Sequence, residues 1–303
     1  MCPRKAFFLV GWDSRNGAGV TVASTSHLSF LSGPRPRLFA HRGASAVVPE
    51  NTLEAFRAAL DLGAPYLEMD VHMSADGHLM VIHDSSVSRT TGRRGRIENL
   101  TFDAIRQLDA GHRFTPDHGR TFPYRGRGLV IPTLEEVLRA FPEARLNIEL
   151  KRSRDGIEAA VLELITRYEA SERVVIAAHE HDILERFRAM DRKVLTSLSK
   201  VEVREFLSRT RSKKDLSDYR PPGFAIQVPE YFGLRRVLSP CMIEAARRLR
   251  LEVHVWTVNQ PLRMVRLIDW GVDGIMTDDP GKALKAVDAL QLASLANSAL
   301  QSD

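Results

Sequence analysis

Short apolar runs alternate with amphipathic stretches along this chain from residue 37 onward. Eight of the runs have the length and composition of buried strands, at residues 38–40, 66–71, 146–150, 174–178, 194–198, 224–228, 253–258 and 274–277. Strands that alternate with helical patterns indicate parallel βαβ units. Eight such units predict an α/β fold, a (β/α)8 TIM barrel, whose functional site lies at the carboxyl ends of the strands.

Helix signals follow two of the predicted strands. Asn51-x-x-Glu54 and Thr133-x-x-Glu136 have the spacing of a capping box, in which the first side chain caps the helix and the acid bonds back to it. Apolar residues at helical spacing follow each pair. Asn51 and Thr133 are therefore predicted to be the N-caps of two helices.

One apolar run breaks the alternation. Residues 79–83 follow the second predicted strand after only a short turn, whereas a parallel crossover needs about a dozen residues or more. This run is therefore predicted to return as an antiparallel β-hairpin that folds His83 back over the C-terminal mouth of the barrel. Residues 85–130, with nine arginines and four acidic residues, are predicted to form an Arg-rich insertion over the same mouth.

Composition and charge suggest how the chain is divided. Of its 303 residues, 44% are hydrophobic and 27% charged, which is ordinary for a globular protein. The net charge is +5, and residues 1–36 account for +3 of it, so the basic balance is weak support for nucleic-acid binding. We expect residues 1–36 to be a disordered leader, residues 37–290 to form the barrel, and residues 291–303 to be a C-terminal tail.

The first residues and the cysteines bear on location. A basic pair precedes the apolar stretch 6–12, loosely like a signal peptide, but Asp13 and Arg15 interrupt it early. No run of about 18 apolar residues occurs, so no membrane span is predicted. Cys2 and Cys241 are the only cysteines, which indicates no disulfide framework and suits a reducing compartment. We expect a cytoplasmic protein.

Acidic side chains occur where the predicted strands end. Glu68 and Asp70 are two residues apart on the second strand and so face the same way, and Glu149 occupies the end of the third. Buried acids are costly unless they are paired or bound to a metal. Carboxylates without cysteine favour a hard divalent cation, Mg²⁺ or Ca²⁺. The competing interpretation of Glu149 is an ordinary ion pair with Lys151.

Two histidines accompany these acids. His41 ends the first strand and His83 ends the hairpin. Imidazole titrates near neutral pH, so the two could act as general acid and base, although a lone strand histidine is more often structural. Arg42 and Lys151 would hold the non-bridging oxygens of a phosphate. Together these residues predict metal-assisted hydrolysis of a phosphate ester.

The candidate residues fall into short motifs that follow one another in this order: Ala40-His41-Arg42-Gly43, Pro49-Glu50-Asn51-Thr52, Glu68-Met69-Asp70, His83-Asp84, Glu149-Leu150-Lys151 and Thr277-Asp278. As an ordered set they resemble the motifs of the glycerophosphodiester phosphodiesterases. The resemblance covers about residues 37–285. It implies a TIM barrel and metal-dependent hydrolysis of glycerophosphodiesters, such as glycerophosphocholine, to glycerol 3-phosphate and an alcohol.

The resemblance also implies a role for each matching position. The metal ligands would be Glu68, Asp70 and Glu149, the acid–base pair His41 and His83, and the phosphate contacts Arg42 and Lys151. Trp256, at the end of the seventh strand, would line the mouth and pack against the substrate. Asp278, in the last motif, is expected to be structural rather than catalytic.

Other functions remain open at this point. Phe114, Phe122 and Tyr124 in the Arg-rich insertion could form a lid for an acyl chain, which would make the protein a lysophospholipase D with the same site. The fold could also serve as a non-catalytic barrel that binds phosphodiesters, because fold alone does not establish activity. We expect a small-molecule substrate and no nucleic acid. The basic insertion leaves open a peripheral contact with an anionic membrane surface, and the oligomeric state is not predicted.

Overall fold

The computed structural model describes residues 29–152, 155–212 and 216–300 of the chain. Its strands are β1 (Arg37–His41), β2 (Tyr66–Met73), β3 (Leu79–Val81), β4 (Arg145–Leu150), β5 (Val174–Ala177), β6 (Leu195–Thr196), β7 (Ala225–Pro229), β8 (Tyr231–Phe232), β9 (Arg235–Arg236), β10 (Glu252–Trp256) and β11 (Gly274–Thr277). Eight of them coincide with the eight predicted apolar runs.

Those eight strands form a parallel barrel. Their order is β6-β5-β4-β2-β1-β11-β10-β7, and a parallel bridge between Ser197 and Ala225 joins the two ends. At least one helix lies between each barrel strand and the next along the chain, and short hairpin strands also follow β2 and β7. The predicted TIM barrel is therefore confirmed.

The helices are α1 (Leu53–Asp61), α2 (Ser88–Thr91), α3 (Phe102–Arg106), α4 (Leu134–Ala140), α5 (Ile157–Arg167), α6 (His181–Met190), α7 (Lys200–Arg211), α8 (Pro240–Arg248), α9 (Pro261–Asp269) and α10 (Pro280–Leu300). Thr133 caps α4 in the predicted capping box. The prediction for Asn51 is wrong, since Thr52 caps α1 by accepting a hydrogen bond from the Ala55 amide.

The hairpin and the insertion lie on the C-terminal side of the barrel. β3 pairs antiparallel with β2, as predicted. The insertion that follows shares a small hydrophobic core with the hairpin and the residue after it, built from Met80, Ile82, Val87, Ile97, Ile105, Ala110, Leu129 and Ile131. Its apolar residues therefore pack beside the barrel, while the end of the hairpin reaches the mouth.

Strand alternation divides the side chains between two environments. On β1, Leu38 and Ala40 pack outward against the helices, whereas Phe39 joins the cluster inside the barrel. His41 comes two residues after Phe39 and therefore faces the interior at the mouth. The same period applies to every barrel strand, so the last inward residue of each strand meets the others at one opening.

Residues before β1 close the opposite end of the barrel. Phe30 is completely buried, and its ring lies 4.9 Å from that of Tyr66 and 5.8 Å from that of Phe224. Its backbone amide donates to the carbonyl of Glu172. Residues 29–36 are thus part of the barrel, although the expected leader extended to residue 36, and residues 1–28 of that leader lie outside the described residues.

A buried ion pair crosses this floor. Arg37 donates from Nε to Oε2 of Glu252 at 2.6 Å and from its terminal nitrogen to Oε1 at 2.8 Å. Arg37 also donates to the Tyr66 hydroxyl and to the carbonyl of Phe30. Strands β1, β2 and β10 are therefore joined at their amino ends to the segment that plugs the barrel.

The C-terminal helix extends beyond the boundary expected at residue 290, since α10 continues to Leu300. Within the described ranges, no helix combines the length and the apolar character that crossing a bilayer requires.

The buried ion pair predicts a pH-dependent stability. Burial opposes ionisation of Glu252, but hydrogen bonds from Arg37 and His254 lower its pKa from 4.5 to about 2. A lowered pKa in the folded state stabilises the protein above pH 4.5, and this contribution is lost as the pH falls towards 2. We expect Glu252→Gln to reduce the free energy of unfolding at neutral pH by about 3 to 5 kcal/mol.

The measurement is the urea unfolding midpoint at pH values from neutral down to the onset of acid unfolding. Glu252→Gln should flatten the fall in stability on the acid side relative to the wild-type protein. Glu244→Gln is the control, because Glu244 forms its ion pairs with exposed arginines of its own helix. Equal acid-side slopes for the wild-type protein and Glu252→Gln would contradict the assignment.

Candidate active site

Three carboxylates meet at the mouth of the barrel. Glu68 and Asp70 extend from β2 and Glu149 from β4, where Asp70 and Glu149 are directly paired in register. One carboxylate oxygen from each residue lies within 4.8 Å of the others. Glu68 and Asp70 are buried and Glu149 is partly buried. The predicted ligand set is thus brought together, with only hard oxygen donors.

The crowding of negative charge has different effects on the two buried acids. Burial and, second to it, the neighbouring charge of Asp70 together raise the pKa of Glu68 to about 8. Burial also opposes ionisation of Asp70, but Lys151 and Arg42 override it and lower its pKa to about 2. Glu68 is therefore the harder of the two acids to ionise, and a divalent cation at this cluster would favour its ionised form. The donor set fits a hard divalent cation.

Asp70 has three donors around it. Lys151 Nζ lies 2.9 Å from Asp70 Oδ1 and 2.7 Å from Glu149 Oε1. Arg42 Nε lies 3.2 Å from Asp70 Oδ2, and Asn51 Nδ2 donates to the same oxygen at 3.0 Å. Asn51 thus orients a candidate metal ligand, whereas the sequence suggested a helix cap.

The turn after β1 explains how Arg42 reaches this position. Arg42 and Gly43 both have left-handed backbone conformations, with φ of 59° and 83°. A Cβ atom on Gly43 would lie 2.6 Å from the backbone of Ala55, so only glycine fits here. The tight turn also directs the backbone amide of Arg42 to Oε2 of Glu68 at 3.0 Å. The turn that reverses the chain at Arg42 and Gly43 therefore also positions Arg42 beside the carboxylates.

His41 is held by a carboxylate from the last barrel strand. Its Nδ1 lies 2.7 Å from Oδ1 of Asp278, and its Nε2 lies 3.9 Å from Oε2 of Glu68. Burial lowers the pKa of His41, but Glu68 and Asp278 outweigh it and raise the pKa above its ordinary value. Asn259 donates to Asp278 at 2.6 Å. Asp278 therefore orients His41, a contact that the sequence analysis missed when it treated Asp278 as structural.

His83 has the same arrangement at the end of the β2–β3 hairpin. Its Nδ1 lies 2.6 Å from Oδ1 of Asp84. Arg89, from the insertion, donates to Asp84 Oδ2 at 2.6 Å and to Glu50 Oε2 at 2.6 Å. Glu50 in turn accepts from Arg42 at 3.0 Å. Arg89 thus connects the partner of His83 to the partner of Arg42.

A cavity of about 120 Å³ lies among these groups. The predicted residues His41, Arg42, Glu68, His83, Glu149, Lys151 and Trp256 all line it. The ring of His179 stacks on that of Trp256 with centroids 6.1 Å apart. Phe114 and Tyr124 pack edge to face on each other at 5.4 Å, and neither they nor Phe122 are among the residues that line this cavity.

Hydrogen bonds give the cavity floor a defined polarity. Glu252, ionised by its pairing with Arg37, can only accept, so His254 donates to it from Nε2 at 3.0 Å. His254 Nδ1 then accepts from Gln227 Nε2 at 3.3 Å, and the same amide donates to Asn147 Oδ1 at 2.7 Å. The orientation of both floor amides follows from the charge beneath them.

Comparison with known proteins finds matches that cover most of this chain. The model of the glycerophosphoryl diester phosphodiesterase family matches residues 41–282. A glycerophosphodiester phosphodiesterase of Caldanaerobacter subterraneus is 34% identical over 259 residues, which cover 82% of this chain and 97% of that protein. A human lysophospholipase D is 25% identical and matches over 80% of this chain and 83% of its own length.

Solved structures show the same fold. A phosphodiesterase of Oleispira antarctica, crystallised in complex with the product sn-glycerol-3-phosphate, superposes with a TM-score of 0.67 at 24% identity. The match covers 84% of this chain and 97% of that one. Together with the family match over most of the barrel, these findings mean that the chain belongs to the glycerophosphoryl diester phosphodiesterase family.

Proposed function

We propose that this glycerophosphodiester phosphodiesterase hydrolyses glycerophosphodiesters such as glycerophosphocholine to glycerol 3-phosphate and an alcohol, with Mg²⁺ or Ca²⁺ bound by Glu68, Asp70 and Glu149. The observation that carries the proposal is the convergence of these three carboxylates on one opening, where two histidines are each held by a carboxylate of their own. The product bound to the Oleispira antarctica relative supports the substrate class.

The proposed cation and two basic side chains would share the contacts to the phosphate oxygens. When bound, such an ion polarises a phosphoryl oxygen and offsets the charge that develops in the transition state. Arg42 and Lys151 line the same cavity and would hold the non-bridging oxygens beside the ion, Arg42 through two donors and Lys151 as a point charge. Their carboxylate partners, Asp70 and Glu50, keep both cations in place before substrate arrives.

His41 and His83 would transfer the protons. In each ring Nδ1 faces a carboxylate, Asp278 or Asp84, so Nε2 is the atom left for the reaction. In the hydrolysis step, one imidazole would take a proton from the attacking water as the water oxygen bonds to phosphorus. The other would give a proton to the departing alcohol oxygen as the P–O bond breaks. Trp256 would form the wall that the glycerol or alcohol group packs against.

A lysophospholipase D is the second candidate, because the human relative carries that name. It would break the same type of bond with the same groups, and only the acyl chain of the substrate would differ.

For both candidates we propose a small-molecule substrate, since the cavity is about 120 Å³. The scarcity of cysteine supports a cytoplasmic location.

Metal dependence of the proposed reaction is tested by adding or removing the cation. Purified protein mixed with glycerophosphocholine should release glycerol 3-phosphate in Mg²⁺ or Ca²⁺ and should stop in EDTA, because Glu68, Asp70 and Glu149 would bind the ion. Glu68→Ala should abolish release. Glu185→Gln is the control, since that acid is exposed on α6. Release that persists in EDTA would rule out the proposed metal chemistry.

The same assay tests the substrate. Lysophosphatidylcholine, DNA and RNA would replace glycerophosphocholine under identical conditions, with released phosphate products measured by mass spectrometry. We expect glycerophosphocholine to be the preferred substrate and the nucleic acids to remain intact. Faster cleavage of lysophosphatidylcholine would favour the second candidate, and no cleavage of any of them would favour a barrel that binds phosphodiesters without catalysis.

Removing the charge of Asp278 should impair catalysis more than binding. Asp278→Asn keeps the size of the side chain but weakens its hold on His41 Nδ1. Since a general acid–base residue contributes about 10²- to 10⁴-fold, we expect kcat to fall by about 10²-fold with KM little changed. Asp279→Asn is the matched control, because Asp279 contacts Lys282 rather than His41. An equal fall in both variants would assign the effect to the loop instead.

A further inference from the structure

The hairpin formed by β8 and β9 carries apolar side chains into solvent. Its strands pair antiparallel, Tyr231 with Arg236 and Phe232 with Arg235. Phe232 is 67% exposed and Leu234 fully exposed, while Tyr231 is nearly half exposed. Isolated exposed apolar residues are common on protein surfaces, but a contiguous group of this size indicates a contact surface.

The hairpin belongs to the catalytic end of the barrel. It directly follows β7, so it leaves the barrel at the carboxyl ends of the strands. Two further exposed residues lie on the same rim: Val201, near the start of α7, and Leu262, near the start of α9. With the hairpin they form what we call the apolar rim: Val201, Tyr231, Phe232, Leu234 and Leu262.

Contacts show that the parts of the apolar rim are neighbours. Lys200, which precedes Val201, lies over the ring of Phe232 at 6.0 Å. Arg263, which follows Leu262, lies 2.8 Å from Glu230 at the base of the hairpin. The starts of α7 and α9 therefore flank the hairpin on its two sides, and the apolar side chains present one surface.

The charges on this surface are positive. Lys200 and Arg235 are exposed, and neither has an ion-pair partner within the described parts of the chain. Residues 231–236 contain no acid. Glu230 is buried and is neutralised by Arg263 and Arg266, at 2.8 and 2.6 Å. The apolar rim therefore combines aromatic and aliphatic side chains with cations that are free to meet an anionic surface.

The base of the hairpin is fixed although its tip is exposed. The guanidinium of Arg236 lies 4.3 Å from the ring of Trp270, and the amide of Val237 donates to the carbonyl of Glu230. An anchored base holds Phe232 and Leu234 in a defined direction. Inserting them into an apolar phase would therefore cost less conformational entropy than ordering a flexible loop.

We propose that the apolar rim docks the mouth of the barrel on the surface of a bilayer that contains anionic lipids. Aromatic side chains favour the interfacial region, and leucine favours the acyl boundary below it. Lysine and arginine beside them are attracted to anionic headgroups. This surface lies apart from the Arg-rich insertion, where the sequence alone suggested a membrane contact, and the proposal does not depend on which phosphodiester is cleaved.

Co-sedimentation of the full chain with lipid vesicles tests the proposal at low ionic strength. We expect binding to vesicles of phosphatidylcholine mixed with phosphatidylglycerol and weaker binding to phosphatidylcholine alone. Phe232→Ser combined with Leu234→Ser should reduce the partition coefficient by about tenfold or more. Arg235→Glu should weaken binding to the anionic vesicles only.

The matched control combines Leu31→Ser with Met190→Ser. Like the hairpin variant, it removes two apolar side chains; Leu31 and Met190 are each about half exposed. They lie at the opposite end of the barrel, since Leu31 precedes β1 and Met190 ends the helix before β6. This control should bind vesicles like the wild-type protein. The thermal unfolding midpoint of each variant reports whether it folds, and it does so whether or not the proposed activity is found.

Three results would overturn the proposal. The first is a wild-type protein that does not sediment with anionic vesicles. The second is equal loss of binding in the hairpin variant and the control. The third comes from light scattering, where a wild-type dimer that becomes a monomer in the hairpin variant would make the apolar rim an interface between two copies of this chain.

Discussion

Crowding of negative charge at one end of the barrel is the constraint on which the rest of this site depends. Because alternate residues of parallel strands face the same interior, Glu68, Asp70 and Glu149 are delivered to one opening. Their mutual repulsion has to be offset. Lys151 and Arg42 offset it at Asp70, whereas burial and the charge of Asp70 raise the pKa of Glu68. Most polar contacts at the mouth can be understood as compensation for that charge.

The compensation also positions the two histidines. Each is bonded at Nδ1 to an aspartate, and each aspartate is itself held, Asp278 by Asn259 and Asp84 by Arg89. The two arrangements come from different parts of the fold, one from the last barrel strand and one from the insertion. The site therefore depends on the insertion docking against the barrel, because Arg89 joins Asp84 to Glu50.

The sequence predicts the barrel well because its signals are local. Each strand is an apolar run, and the short turn before residue 79 excludes a crossover. The carboxylates and histidines were found for the same reason, since each lies at the end of such a run. Contacts between residues that are far apart in the chain leave no signal in the local sequence. Asp278 lies 237 residues from His41 in the chain, and nothing near it indicates that contact. Asn51 was misassigned because asparagine and threonine both cap helices, and the adjacent Thr52 does so here.

The packing of Phe30 and Arg37 at the amino end of the barrel affects how substrate enters and how products leave. Among the described residues, the barrel is filled at its amino end, so the cavity opens to solvent at the carboxyl ends of the strands. A hydrolase that splits one diester into two products must release both through the opening by which the substrate entered. The product seated deeper in the cavity can leave only after the shallower one has gone. The depth at which each half of the substrate binds therefore decides the order of release, and with it which product competes with the next substrate molecule.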